Sequence, residues 1–124
     1  MFKQFTDLDF SASSVIQTDE KVHVAIENIA RKIHNKQEKA MIAALTAYYD
    51  VSDVMECVDR VTRVVDRLGA SRLIDNDTGE VITQFNKPFM RTEPGSVAPC
   101  FVADYSITVN SFVADRVKEA LYEW

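Results

Sequence analysis

Arg60, Arg63 and Arg67 stand three and four residues apart, so that on a helix their guanidinium groups line one flank. Guanidinium forks match the oxygens of phosphate, which makes such a flank a candidate anion site. Lys32, Lys36 and Lys39 recur on a flank of the preceding segment and add point charge. Each basic stripe lies about 100–130° from the apolar face of its own helix in the same rotational sense, so an antiparallel pair of helices brings the two stripes to one side. Phe85 and Phe101 border a proline-rich stretch, and beside Arg91 they can stack on a base or a peptide, or else pack in the core. These nine residues define an expected site for a small anionic, nucleotide-type ligand. The alternative is structural. Glu56 with Arg60, and Asp59 with Arg63, are i, i+4 pairs that serve equally well as solvated charges on a helix surface.

Other chemistry has little material. His23 and His34 have no neighbouring serine, cysteine or carboxylate at a spacing that makes a triad or ligand set, and they read as helix-flank histidines. Cys57 and Cys100 lack the paired spacing of a zinc or redox motif and are expected as two reduced thiols. Asp75, Asp77 and Glu80 surround a turn, where such residues serve turn geometry. Calcium would need more oxygen ligands in fixed order. Glycine-rich phosphate loops and nucleophile elbows are missing, so no catalytic residue, metal or cofactor is expected.

The chain of 124 residues has the size of one domain, expected over 1–124. Its 47% hydrophobic and 27% charged residues are ordinary for a globular protein. Fourteen basic against nineteen acidic side chains leave a net charge of −5, which disfavours whole-surface attraction to nucleic acid or anionic membrane. No apolar run has the length of a signal peptide or a membrane span, so the cytosol is the expected compartment.

Several elements must position these residues. Residues 1–17 carry Phe2, Phe5 and Phe10 and form either a short strand on the domain or an arm that binds a partner. From Thr18, the residues Val22, Ile26, Ile29, Ile33, Ala40, Ala44 and Tyr48 fall on one helical stripe, interrupted at Gln37. This predicts one long helix, with two helices joined near Asn35 as the alternative; the unbroken helix is long enough to overhang a small domain and favour a homodimer. The segment 52–69 reads as a second helix, capped by Ser52 and closed by Gly69. Residues 72–85 read as a hairpin around a turn from Asn76 to Gly79, residues 87–99 as irregular because of three prolines, and 101–109 as a strand. A last helix capped by Asn110 or Ser111 carries Val113, Val117, Ala120, Leu121 and Trp124 on one face.

The expected fold is α+β: a long helical hairpin over 18–69, a small antiparallel sheet of the hairpin plus one strand, and a C-terminal helix. Two functions are compatible with it. One is a small cytosolic, non-enzymatic interaction or regulatory module, a homodimer occupying a partner's surface through Phe2, Phe5 and Phe10. Its size and lack of motifs also suit an inhibitor-like accessory protein of a phage or mobile element, though no residue points there. The other is a protein that binds or sequesters the anionic ligand described above.

Overall fold

The computed structural model describes residues 4–16, 22–94 and 98–122. In chain order it contains β1 (Phe5–Val15), α1 (Val22–Tyr49), two short 3-10 turns (Val54–Glu56 and Val58–Arg60), β2 (Val61–Val65), β3 (Ser71–Asp75), β4 (Val81–Phe85), β5 (Phe89–Glu93), β6 (Cys100–Asn110) and α2 (Ala114–Tyr122). All strand pairs are antiparallel, and the order across the sheet is β1-β6-β4-β3-β2.

The architecture is α+β, with a six-stranded sheet larger than the three strands expected. β1 realises the strand alternative for the N-terminal segment. Its alternating burial turns Leu8, Phe10 and Ala12 toward the helices and Phe5, Asp7 and Asp9 to the other face, as a period of two requires.

Strand β6 organises the sheet. β1 pairs along its full length on one side. On the other side β4 takes residues 107–109 and β5 takes residues 100–104, so β4 and β5 follow each other along one edge. Between them Phe85 faces Ile107 and Phe89 faces Asp104, which leaves one extra residue on the β4–β5 side. Pro88, which has no amide hydrogen, sits in this step. Asn86 closes it: its amide donates to the Ser106 carbonyl at 3.3 Å, and its side-chain nitrogen reaches Ser106 Oγ at 2.8 Å and Thr108 Oγ1 at 3.0 Å.

α1 runs unbroken through Asn35 and Gln37 and spans about 42 Å. Ala25, Ile29, Ile33, Ala40, Ala44 and Leu45 are its buried residues, while Ile26, expected on the same stripe, is 44% exposed. Its buried face packs chiefly on β1, β6, β4 and α2. Asp50, in the left-handed conformation at φ 53°, ends it. α2 follows the expected pattern in part. Asn110 Oδ1 accepts from the Phe112 amide at 3.0 Å, Val113, Val117 and Leu121 are buried, Ala120 is exposed, and Trp124 lies outside the described residues.

The expected helix over 52–69, and with it the helical hairpin, is replaced by the two 3-10 turns and β2. Its start signal is real but belongs to Asp53, whose carboxylate accepts from the Met55 amide at 3.0 Å while Glu56 accepts from the Asp53 amide at 3.0 Å. The helix does not propagate. Val61, Thr62, Val64 and Val65 are β-branched and pair with β3, and over five residues a helical and an alternating reading fit the same apolar positions. Gly69 does take a positive φ of 89°, but it closes the β2–β3 turn, where Asp66 accepts from the amides of Leu68 and Ala70. The hairpin of β3 and β4 forms as expected, with Gly79 at φ 73°.

A polar lock ties the end of α1 to this hairpin. The Tyr49 hydroxyl donates to Asp75 Oδ1 at 2.5 Å, Thr78 donates to Asp75 Oδ2 through its amide and hydroxyl, and Arg60 stacks 4.5 Å from the Tyr49 ring. Beside it the Tyr48 hydroxyl donates to Glu80, whose other oxygen accepts from Asn110. The bond from Tyr49 leads in holding the Asp75 carboxyl below its ordinary range, with Thr78 assisting. A carboxylate with a depressed folded pKa contributes stability that is present above its unfolded pKa and is lost as pH falls through the folded one. Urea unfolding across a pH series should therefore show stability falling below about pH 4 in the wild type, and a smaller acid-dependent loss in Asp75→Asn. An equal pH slope in the two proteins would contradict the assignment.

Candidate functional site: an apolar cleft with a cationic rim

Because α1 rests mainly on β1, β6 and β4, the inner side of the sheet toward β2, β3 and β5 is only partly roofed. There a cleft of about 650 Å3 opens between helix and sheet. Ile26, Ile29, Ala30 and Ile33 form the helical wall. Phe85, 7% exposed, and Phe101 form the floor, with Met90 and Pro88 beyond them toward β5 and Val65 with the β2–β3 turn on the opposite side. Strand period explains this set. Val65 is paired with Ser71, Ser71 with Phe85, and Met90 with Ala103, and directly opposed residues share a face. Val65 at 63% and Met90 at 41% exposure are large apolar side chains turned to the cleft and left without a cover.

Polar groups sit among these walls: His34 and Gln37 from α1, Arg63 from β2, Ser71 from β3, and Asn86 and Lys87 from the step between β4 and β5. Arg63 belongs to the inner face because it opposes Leu73, which is buried. Neither Arg63 nor Lys87 has an ion pair or side-chain hydrogen bond among the described residues. A Cβ built on Gly69 would lie 3.9 Å from Lys87 Cδ, which places the β2–β3 turn beside that lysine. The cleft therefore combines an apolar interior with two cationic side chains that form no ion pair among the described residues, in a chain of net charge −5.

The nine residues expected to hold an anion are dispersed. Only Arg63, Phe85 and Phe101 meet in the cleft. Arg60 is stacked on Tyr49, and Arg67 is exposed in the β2–β3 turn. Arg91 lies on the outer face of β5, where its Nε reaches Asp104 at 2.7 Å and its Nη1 reaches Glu93. Lys32, Lys36 and Lys39 line a different groove between β1, α1 and α2, where Lys32 donates to the Ser13 carbonyl at 2.7 Å and the Lys36 ammonium lies 4.9 Å from the Phe10 ring. Helix-based stripe geometry failed because the arginine segment turns at 3-10 angles and then alternates along a strand. For the same reason the i, i+4 pairs of Glu56 with Arg60 and Asp59 with Arg63 do not form. Of the phenylalanines assigned to partner binding, Phe2 lies outside the described residues, Phe5 is exposed on the outer face of β1, and Phe10 faces inward against Tyr105 and Tyr122.

Sequence reasoning missed Val65, Lys87, Pro88 and Met90. The signal was present in the five residues between Pro88 and Pro94, which are long enough for a strand bounded by prolines. Both cysteines are free, Cys57 buried, with burial the leading cause that raises its thiol pKa, and Cys100 half-buried. No helix among the described residues is long and apolar enough to cross a membrane. No protein-family model, curated protein or solved structure matches the chain.

Floor and rim should respond differently to truncation. Phe85→Ala removes a buried ring and should cost about 3–5 kcal/mol in urea unfolding. Arg63→Ala removes a side chain with no partner and should change stability by less than about 0.5 kcal/mol. A loss at Arg63 as large as that at Phe85 would show that the arginine holds the fold together.

Proposed function

We propose that the protein is a non-enzymatic interaction module that receives a segment of a partner protein in the cleft beneath α1. The observation that carries this reading is the open apolar cleft itself, with Val65 and Met90 exposed at its sides and Arg63 and Lys87 without an ion pair among the described residues. Apolar surface of this kind stays exposed at a cost in solubility, and its usual use is recognition. Phe5, also exposed, lies on the opposite face of the sheet and is not part of this surface.

A second reading uses the same cleft. Its volume lies within the range of small-molecule sites, and an apolar lining with a few charged groups suits a small aromatic or aliphatic acid, with Arg63, Phe85 and Phe101 among its contacts. The dispersal of the remaining six residues, all of them basic, removes most of the support for a polyphosphate. A homodimer remains part of the proposal on a different ground from the one expected. α1 is packed along the sheet and α2, whereas Phe112, 78% exposed beside Tyr48, offers an apolar contact for a second copy.

The substitution Ala30→Phe fills the cleft from a helical position that tolerates a large side chain, because Ala30 is exposed there. Panning a random peptide library against the intact protein should enrich binders that lose affinity for Ala30→Phe, and their NMR shift changes should centre on Ile33, Phe85 and Met90. Anilinonaphthalene sulfonate, an apolar anion, serves as probe for the second reading. If it binds the cleft while no peptide does, the small-ligand reading prevails. Peptide binding unaffected by Ala30→Phe would overturn the cleft as the interaction surface.

A further inference from the structure

The sheet ends abruptly at one side of the cleft. β3 pairs with β4 only as far as Ser71 opposite Phe85, and past the step at residues 86–88 its line is not continued by any strand among the described residues. β5 is therefore paired with β6 on one side and open on the other over Phe89–Glu93. An edge strand presents a row of amide and carbonyl groups that a further strand can satisfy. Here that row borders the cleft, since Met90 and Pro88 line it, and all five residues of β5 are exposed.

We propose that the partner binds as an extended, acidic–apolar segment that adds a strand to the open edge of β5, sends alternate apolar side chains into the cleft, and sets an acidic side chain against Lys87 and Arg63. The inference rests on the reading of the cleft as a partner site. Three independent features define the occupant. The open edge supplies main-chain hydrogen bonds to an extended chain, which a helix cannot use. The interior accepts apolar groups at every second position, because an added strand shares the pleat of β5 and places alternate side chains on the face of Met90. Charge complementarity sets the sign of the end group: Arg63 and Lys87 both line the cleft and form no ion pair among the described residues, Lys87 beside the β2–β3 turn and Arg63 on the strand that leads into it.

Pairing direction follows from the rest of the sheet, in which every pair is antiparallel. β5 begins beside Lys87 and runs away from the β2–β3 turn, so an antiparallel segment would end near that turn. The acidic residue is thereby placed at the C-terminal end of the docked segment. Five paired residues span about 16 Å, the length of a short natural strand.

The test uses the full chain and a blocked heptapeptide with leucine at positions 1, 3 and 5, glutamate at position 7 and threonine between them, so that the glutamate shares the face of the leucines, with a form methylated at alternate backbone nitrogens. Binding is followed by NMR and amide hydrogen exchange. The proposal predicts added exchange protection at amides within Phe89–Glu93, about tenfold weaker binding of the methylated form, and a similar loss for Arg63→Glu combined with Lys87→Glu. The double charge variant is expected to fold, since neither residue has an ion pair or side-chain hydrogen bond to lose among the described residues, and its amide spectrum verifies this. Binding in the cleft without protection of β5, or unaffected by methylation, overturns strand addition while leaving the cleft as a partner site. Failure of this peptide together with enrichment of helical or basic binders overturns the inference alone. Failure of every peptide to engage the cleft overturns both.

Discussion

The step at residues 86–88 is the constraint from which the site follows. β6 is eleven residues long, and a single partner strand of equal length would have paired its whole edge, as β1 does on the other side. Pro88 cannot donate to such a ladder, and Asn86 instead satisfies Ser106 and Thr108 with its own side chain. The edge is consequently divided into β4, which β3 covers, and β5, which no described strand covers.

The placement of α1 completes the arrangement. Its buried residues are small or branched, with three alanines among the six, so the helix lies close to the sheet over β1, β6 and β4. Apolar groups under that footprint are buried, including Ile82, Ile107 and Val109 at 0% exposure. Those just outside it are Phe101, half-buried, and Met90 and Val65, both exposed. The polar lock of Tyr49, Asp75 and Thr78 fixes the far end of α1 to the β3–β4 hairpin.

Much of this was legible in the chain. The 3.6-residue spacing from Val22 to Tyr48 wrote the long helix, the turn residues from Asn76 to Gly79 wrote the β3–β4 hairpin, and the alternation from Phe101 to Val109 wrote β6. These signals are local and long enough to separate one period from another. β2 was not legible as a strand, because Val61–Val65 satisfies helical and alternating patterns alike and its true capping box stands just upstream, at Asp53 and Glu56. β5 was hidden by the prolines that bound it. The site depended on those two strands, which is why three of the nine expected ligand residues converge in it and the others do not: Arg63 reaches the cleft only through strand alternation, whereas Arg91, two positions past Phe89, is turned to the outer face by the same rule.

The most direct measurement is a crystal structure of the protein with the leucine–glutamate heptapeptide bound. The account predicts an extended chain antiparallel to Phe89–Glu93, leucines over Phe85 and Phe101, and a glutamate carboxylate within reach of Lys87 and Arg63. A peptide seated on the outer sheet face, in the groove of Lys32 and Lys36, or in the cleft with the β5 edge still unpaired would contradict it.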